Sequence, residues 1–330
     1  MSKNKKQKCS YIPERRGKVG GQAVLEGVMM RCGENVATTV RRDDGTTVTK
    51  TSKFVPLRKK NKFFQIPLVR GVVNFIDSMR LSLSTLNDSA EMLGIDEEME
   101  ETKFEKWLKK HFGKGVMDFI MGVAMVLGVA LAVFLFMFLP TFFTGLIEKA
   151  TGELGLWKSV IEGAIKVAIF VAYMLLVSLM KDIRRTFEYH GAEHKSIFCY
   201  EAGEELTVEN VKKHSRFHPR CGTSFMFVMI LLSIIVGLFI TWESKLLRVV
   251  LKLLLLPVVM GLGYEFLMYA GKHDNFIVRA LSAPGLWMQR ITTHEPDEKQ
   301  IECAIASLKA AMPDEFPPKE KADGETAQEE

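Results

Sequence analysis

The stretch Tyr189-His-Gly-Ala-Glu-His-Lys195 carries two histidines and a glutamate in the pattern H-x-x-E-H. On a helix, residues three and four apart share a face, so His190, Glu193 and His194 point the same way. Two imidazoles so placed can supply two nitrogens to Zn²⁺, and the glutamate between them can take a proton from bound water. This is the spacing of inverted zincins. Two ligands do not make a site. Further candidates follow in His214-Ser-Arg-Phe-His218-Pro-Arg-Cys221, where His218 and Cys221 are separated by a turn that Pro219 enforces. Gly191, inside the first motif, costs a helix up to about 1 kcal/mol.

The elements that must hold these residues follow from composition. The chain has 330 residues, 48% of them hydrophobic and 25% charged, with a mean hydropathy of +0.09. That much charge with a positive mean requires the apolar residues to be bunched, which excludes an ordinary soluble globular enzyme. No charged residue occurs from Phe119 to Ile147 or from Gly222 to Trp242. A third stretch, from Trp157 to Met180, contains Glu162 and Lys166 at a spacing that lets them neutralise each other. A fourth, from Leu246 to Ala270, has Arg248 and Lys252 near its start and Glu265 near its end. Four transmembrane helices are expected. The net charge of +5 is too mild for a nucleic-acid binder. The five cysteines are odd in number and scattered, a poor disulfide framework.

Basic residues crowd the segment before the first span and the connection 181–221, whereas the other two connections are short and nearly balanced. The expected orientation therefore puts both termini and the 181–221 loop in the cytoplasm. A helix continued from Met180 brings His190 about 15 Å past the hydrocarbon. Cys221 enters the membrane from that side, and Glu265 lies in the last turns of the fourth span. His190, Glu193, His194, His218, Cys221 and Glu265 can thus meet at the cytosolic surface. Glu265 has an alternative partner in Lys272. His214 reads as a surface residue and His294 as a neighbour of a helix cap.

The remaining pieces are smaller. Residues 1–17 form a disordered basic tail able to touch anionic lipid. Residues 18–115 are expected to form a small α+β cytosolic domain. In it, 18–56 is β-rich with Asp43-Asp44-Gly45 as a hairpin turn, and 66–93 is an amphipathic helix. The helix carries Leu68, Val72, Phe75, Ile76, Met79 and Leu83 along one stripe, which suits core or membrane-surface packing. A short charged helix over 97–112 precedes the membrane domain, 116–270. The cytosolic segment 271–312 ends in a capped helix from Pro296 to Met312, and 313–330 reads as a disordered acidic tail. The fold class is an α-helical multi-pass membrane protein.

The strings GGQAVLEGVMMR (20–31), YHGAEHK (189–195), ELTVENVKKHSRFHPRCGTSF (205–225), GYEF (263–266) and PGLWMQRITTHEPDE (284–298) resemble the YqhQ-like family of bacterial membrane proteins. The resemblance implies a multi-pass membrane protein and a metal-dependent enzyme, and it adds Glu26 and Arg220 to the grouped residues. Two functions compete. In one, the chain is a metal-dependent hydrolase, most simply with zinc, acting on a lipid or membrane peptide with Glu193 as general base. In the other it is a scaffold or assembly factor for a membrane-protein partner, with His190, His194, His218 and Cys221 closing a structural His₃Cys site. A transporter needs polar residues near the bilayer centre, and the spans offer few beyond Glu162 and Lys166.

Overall fold

The N-terminal run KVGGQAVLEGVMM is not one strand but two. Glu26, with a φ of 47°, takes the left-handed conformation, and the chain reverses between β1 (Val19–Val24) and β2 (Gly27–Cys32). Two further strands, β3 (Asn35–Arg41) and β4 (Thr47–Lys53), complete an antiparallel sheet in the order β1-β2-β3-β4. The expected Asp43-Asp44-Gly45 turn joins the last two, with Asp44 accepting from the Thr46 amide and Gly45 at a φ of 85°. The computed structural model describes residues 12–94, 115–155, 157–239, 244–273 and 275–317. The expected helix over 97–112 and most of both tails lie outside these.

Ten helices are used below: α1 (Val69–Leu93), α2 (Gly115–Val133), α3 (Leu139–Thr151), α4 (Trp157–Ser178), α5 (Lys181–Ala202), α6 (Val208–Lys213), α7 (Gly222–Gly237), α8 (Lys245–Lys272), α9 (Phe276–Thr292) and α10 (Glu298–Ala310). A capping box starts α10, with Asp297 accepting from the Gln300 amide and the Gln300 side chain returning to Asp297. Its stripe of Ile301, Ala304 and Leu308 is buried against the sheet and α5. Ser307 and Cys303 donate to the carbonyls of Ala37 and Thr39 on β3, so even the polar atoms of this helix are spent on the sheet. Residues 313–317, expected to be disordered, pack instead: Glu315 pairs with Arg15 at 2.7 Å and accepts from the Tyr200 hydroxyl.

Among the described residues, three segments are long and apolar enough to cross a membrane: Gly122–Thr151, Trp157–Ser178 and Val249–Ala270. The first is α2 and α3 joined through a π-helical turn, Phe134–Phe138. The expected span over 222–242 is a correction, because its helix α7 has 16 residues. That is about 24 Å, short of the roughly 30 Å of a hydrocarbon core. Glu162 is also paired differently. It forms its ion pair with Lys252 of α8 and accepts from Thr141, while Lys166 reaches Ser233 at 3.3 Å. The i,i+4 spacing permitted a partner on the same helix, but a helix packed alongside brings a closer one.

Helix α1 occupies the expected residues with its stripe reversed. The buried face carries Gly71, Val73, Asp77, Leu81, Thr85 and Ser89, whereas Phe75, Ile76, Met79 and Leu83 point outward. Small residues allow a close approach that large ones forbid: a Cβ on Gly71 would stand 2.7 Å from the Cα of Gly261 on α8.

Candidate metal centre

Helix α5 carries the H-x-x-E-H motif, and its middle is buried from Gly191 to Glu201. Gly191 explains itself. The backbone of His294 crosses there, and a side chain at 191 would collide with the His294 carbonyl. The crossing strand is tied on by the His294 amide, which donates to the Phe187 carbonyl at 2.9 Å. The helix thus accepts a glycine's cost so that the end of α9 can lie directly on it.

That contact orients the first histidine. His190 Nδ1 lies 2.9 Å from the Thr292 carbonyl, and His194 Nδ1 lies 2.6 Å from the Arg216 carbonyl. A carbonyl accepts only, so each Nδ1 carries the ring proton and each Nε2 keeps its lone pair. His190 Nε2 is 3.2 Å from Cys221 Sγ. The two imidazoles meet edge to face with 4.4 Å between centroids, and His190, His194 and Cys221 each offer a donor atom within 4.8 Å of the others. Cys221 reaches them as the N-cap residue of α7. Nitrogen and sulfur donors with backbone-held imidazoles fit the chemistry of zinc.

His218 is built differently. Its ring lies 5.4 Å from that of His194 and 4.6 Å from Phe198. Its Nδ1 accepts from the Arg220 amide at 3.3 Å, which puts the proton on Nε2. That Nε2 is buried and has no hydrogen-bond partner among the described residues. Burial, aided by His194 and Arg220, holds the ring well below the usual histidine range, so it is neutral. Gln289 fixes the backbone on both sides, accepting from the His218 amide at 2.7 Å and donating to its carbonyl at 2.8 Å. His218 is therefore a clamped, buried donor beside the three-atom group.

Glu193 is buried as well, but its carboxyl is not among the donor atoms grouped within 4.8 Å and faces the Gly21 amide of β1. Burial pushes its carboxyl up to about 7, against the pull of His190 and of the Gly21 amide. Gly21 on β1 is needed for this approach, since a Cβ there would stand 2.8 Å from the glutamate Cγ. The other sequence candidates are spent on ties between elements. Glu265 pairs with Arg70 of α1, Glu26 pairs with Arg185, and Arg220 pairs with buried Glu201, while the side chain of Lys272 lies outside those described. His214, expected at the surface, is buried and pairs with Glu204. Residues missed by reading types and spacing are Gln289, Thr292 and Arg216. Thr292 and Arg216 act through their backbone carbonyls, which residue type does not announce, and all three sit in strings that carried the family resemblance.

A family of proteins described as "Protein of unknown function (DUF1385)" matches residues 66–314. The chain belongs to this family. It is 36% identical over 295 residues to "Uncharacterized protein YqhQ" of Bacillus subtilis (strain 168), covering 88% of this chain and 90% of that protein. No solved structure matches the chain. The DUF1385 match spans the whole candidate centre, from α1 to the end of α10.

Proposed function

We propose that the chain is a metal-dependent hydrolase working at the cytosolic surface of the bacterial cell membrane on an ester, amide or phosphoester of a lipid or membrane peptide. What supports this most is the orientation of the two imidazoles, whose Nδ1 protons go to backbone carbonyls, with the Nε2 of His190 3.2 Å from the Cys221 sulfur and His194 in the same group of donors. A zinc ion held by His190, His194 and Cys221 would supply Lewis acidity and a water of lowered pKa, with one position left open. Glu193 takes the proton of the attacking water as its oxygen bonds to carbon or phosphorus, and returns it to the leaving atom as the old bond breaks. The Nε2–H of His218 donates to the oxygen that gathers charge. The scaffold reading needs a fourth protein donor, and the proton on His218 Nε2 argues against that residue supplying it.

The test is hydrolysis of phospholipids and membrane peptides in mixed micelles by the zinc-loaded protein. Glu193→Gln should lower the rate about 10²-fold or more while metal content and unfolding temperature stay unchanged. His218→Ala should lower it less. Full activity in Glu193→Gln would overturn the mechanism, and loaded protein inactive on every substrate would favour the scaffold.

A further inference from the structure

Helix α1 is built inside-out for a helix surrounded by water and protein. At about 100° per residue, its surface divides into three arcs. One is buried on the protein and holds Gly71, Asp77, Leu81, Thr85 and Ser89. A second is exposed and polar, with Arg80, Ser84, Asn87 and Glu91. The third is exposed and wholly apolar: Phe75 and Ile76, then Met79, Leu83 and Leu86. Leu83 is 58% exposed, whereas Asp77 is only 4% exposed. Val73, Leu81 and Met92 are covered, but in water the rest of this order is unfavourable, because five large apolar side chains are left out while small and polar ones are covered. A helix lying in a bilayer interface requires just these arcs.

The height of the helix is set by its contacts. Gly71 and Leu68 lie against Gly261 of α8, and Arg70 pairs with Glu265. Gly261 stands about 13 Å of helix before Ala270, where the apolar stretch of α8 ends. Leu68, 41% exposed, sits against Gly261, and Val258 and Leu262 on either side of Gly261 in the α8 sequence are exposed too, so the apolar arc starts at an apolar surface of that helix. Exposed Arg58, Lys60 and Lys62 precede it, placed to meet anionic headgroups. At its other side, Ser82 donates to Gln22, the neighbour of Gly21 that abuts Glu193.

We propose that α1 is embedded along its Phe75–Leu86 arc in the hydrocarbon edge of a bilayer leaflet. The partner of this surface is lipid, and the helix sets the candidate metal centre at headgroup height. The inference rests on the reading that α8 crosses the membrane. A photoreactive benzoylphenylalanine placed singly at Met79 or Leu83 tests it, in full-length protein in phosphatidylethanolamine–phosphatidylglycerol vesicles. Ser84 and Asn87 serve as controls on the polar arc, and Met125 of α2 as a control for the spans. Phospholipid adducts, read by intact-protein mass, should form at 79 and 83 as readily as at 125 and about threefold or more above 84 and 87. Adducts at 125 with none at 79 or 83 would overturn the inference alone. Chain-to-chain adducts at 79 and 83 would also overturn it, making the arc a dimer surface. No adduct at 125 would overturn the membrane reading and this inference with it.

Discussion

Helices α1 and α10 have the same kind of sequence and opposite fates. Each repeats apolar residues at helical spacing, and each packs on the N-terminal sheet. In α10 the stripe of Ile301, Ala304 and Leu308 is fully buried, and the cap that starts the helix is satisfied on both sides. In α1 the stripe is exposed, and glycine, aspartate, threonine and serine share the contact with Val73, Leu81 and Met92. The comparison teaches that periodicity fixes a helix and its phase, while the neighbouring medium decides which face turns inward. A stripe of large residues cannot approach another helix as closely as Gly71 approaches Gly261.

The strongest way to break the comparison is to put a charge on each stripe. Leu308→Asp should cost on the order of 3–5 kcal/mol, because it removes a buried side chain and buries a carboxylate. Leu83→Asp should lower the unfolding temperature in detergent far less. Equal losses would mean that the α1 arc is covered by protein. Next in size is Gly71→Leu, expected to cost about 1–3 kcal/mol by forcing α1 from α8. It should also speed proteolysis at Lys59, Lys60 and Lys62. Unchanged cleavage would contradict the close contact.

Asp297→Ala should cost about 1 kcal/mol, since it removes one half of the α10 capping box. α1 begins without a side-chain cap, at Leu68 with a φ of 68°, so its start depends on the contact with α8 instead. The smallest effect concerns reactivity. Burial pushes the Cys303 and Cys199 thiols up to about 12, so at pH 8 both remain protonated and should resist iodoacetamide until the protein is denatured. A cysteine introduced at Leu83 should react readily in detergent. Fast labelling of Cys303 in the folded protein would show that α10 is not seated as described.

Much of this architecture was legible from residue types. Alternating residues and the Asp43-Asp44-Gly45 turn gave the later strands, and the capped helix expected from Pro296 gave α10 to within two residues of its start, while the Gln300 half of its capping box was not read. The His190, Glu193 and His194 spacing, with Cys221 further on, located the candidate centre. What stayed hidden depends on long-range approach. Arg70 and Lys252, the partners of Glu265 and Glu162, come from other helices. The carbonyls of Thr292 and Arg216, which orient the two imidazoles, belong to a part of the residue that has no signature in sequence. The length of α7 was overestimated because an uncharged run does not show where its helix ends.

The most direct test of the account is metal stoichiometry, by plasma mass spectrometry, of protein purified without chelator and dialysed against zinc. Variants His190→Ala, His194→Ala and Cys221→Ala would be measured beside His273→Ala, whose exposed ring belongs to no group of candidate metal donors among the described residues. The account predicts about one zinc per chain, lost or strongly reduced in the first three variants and retained in the fourth. Folded protein that takes up no zinc, or zinc that survives all three substitutions, would contradict it.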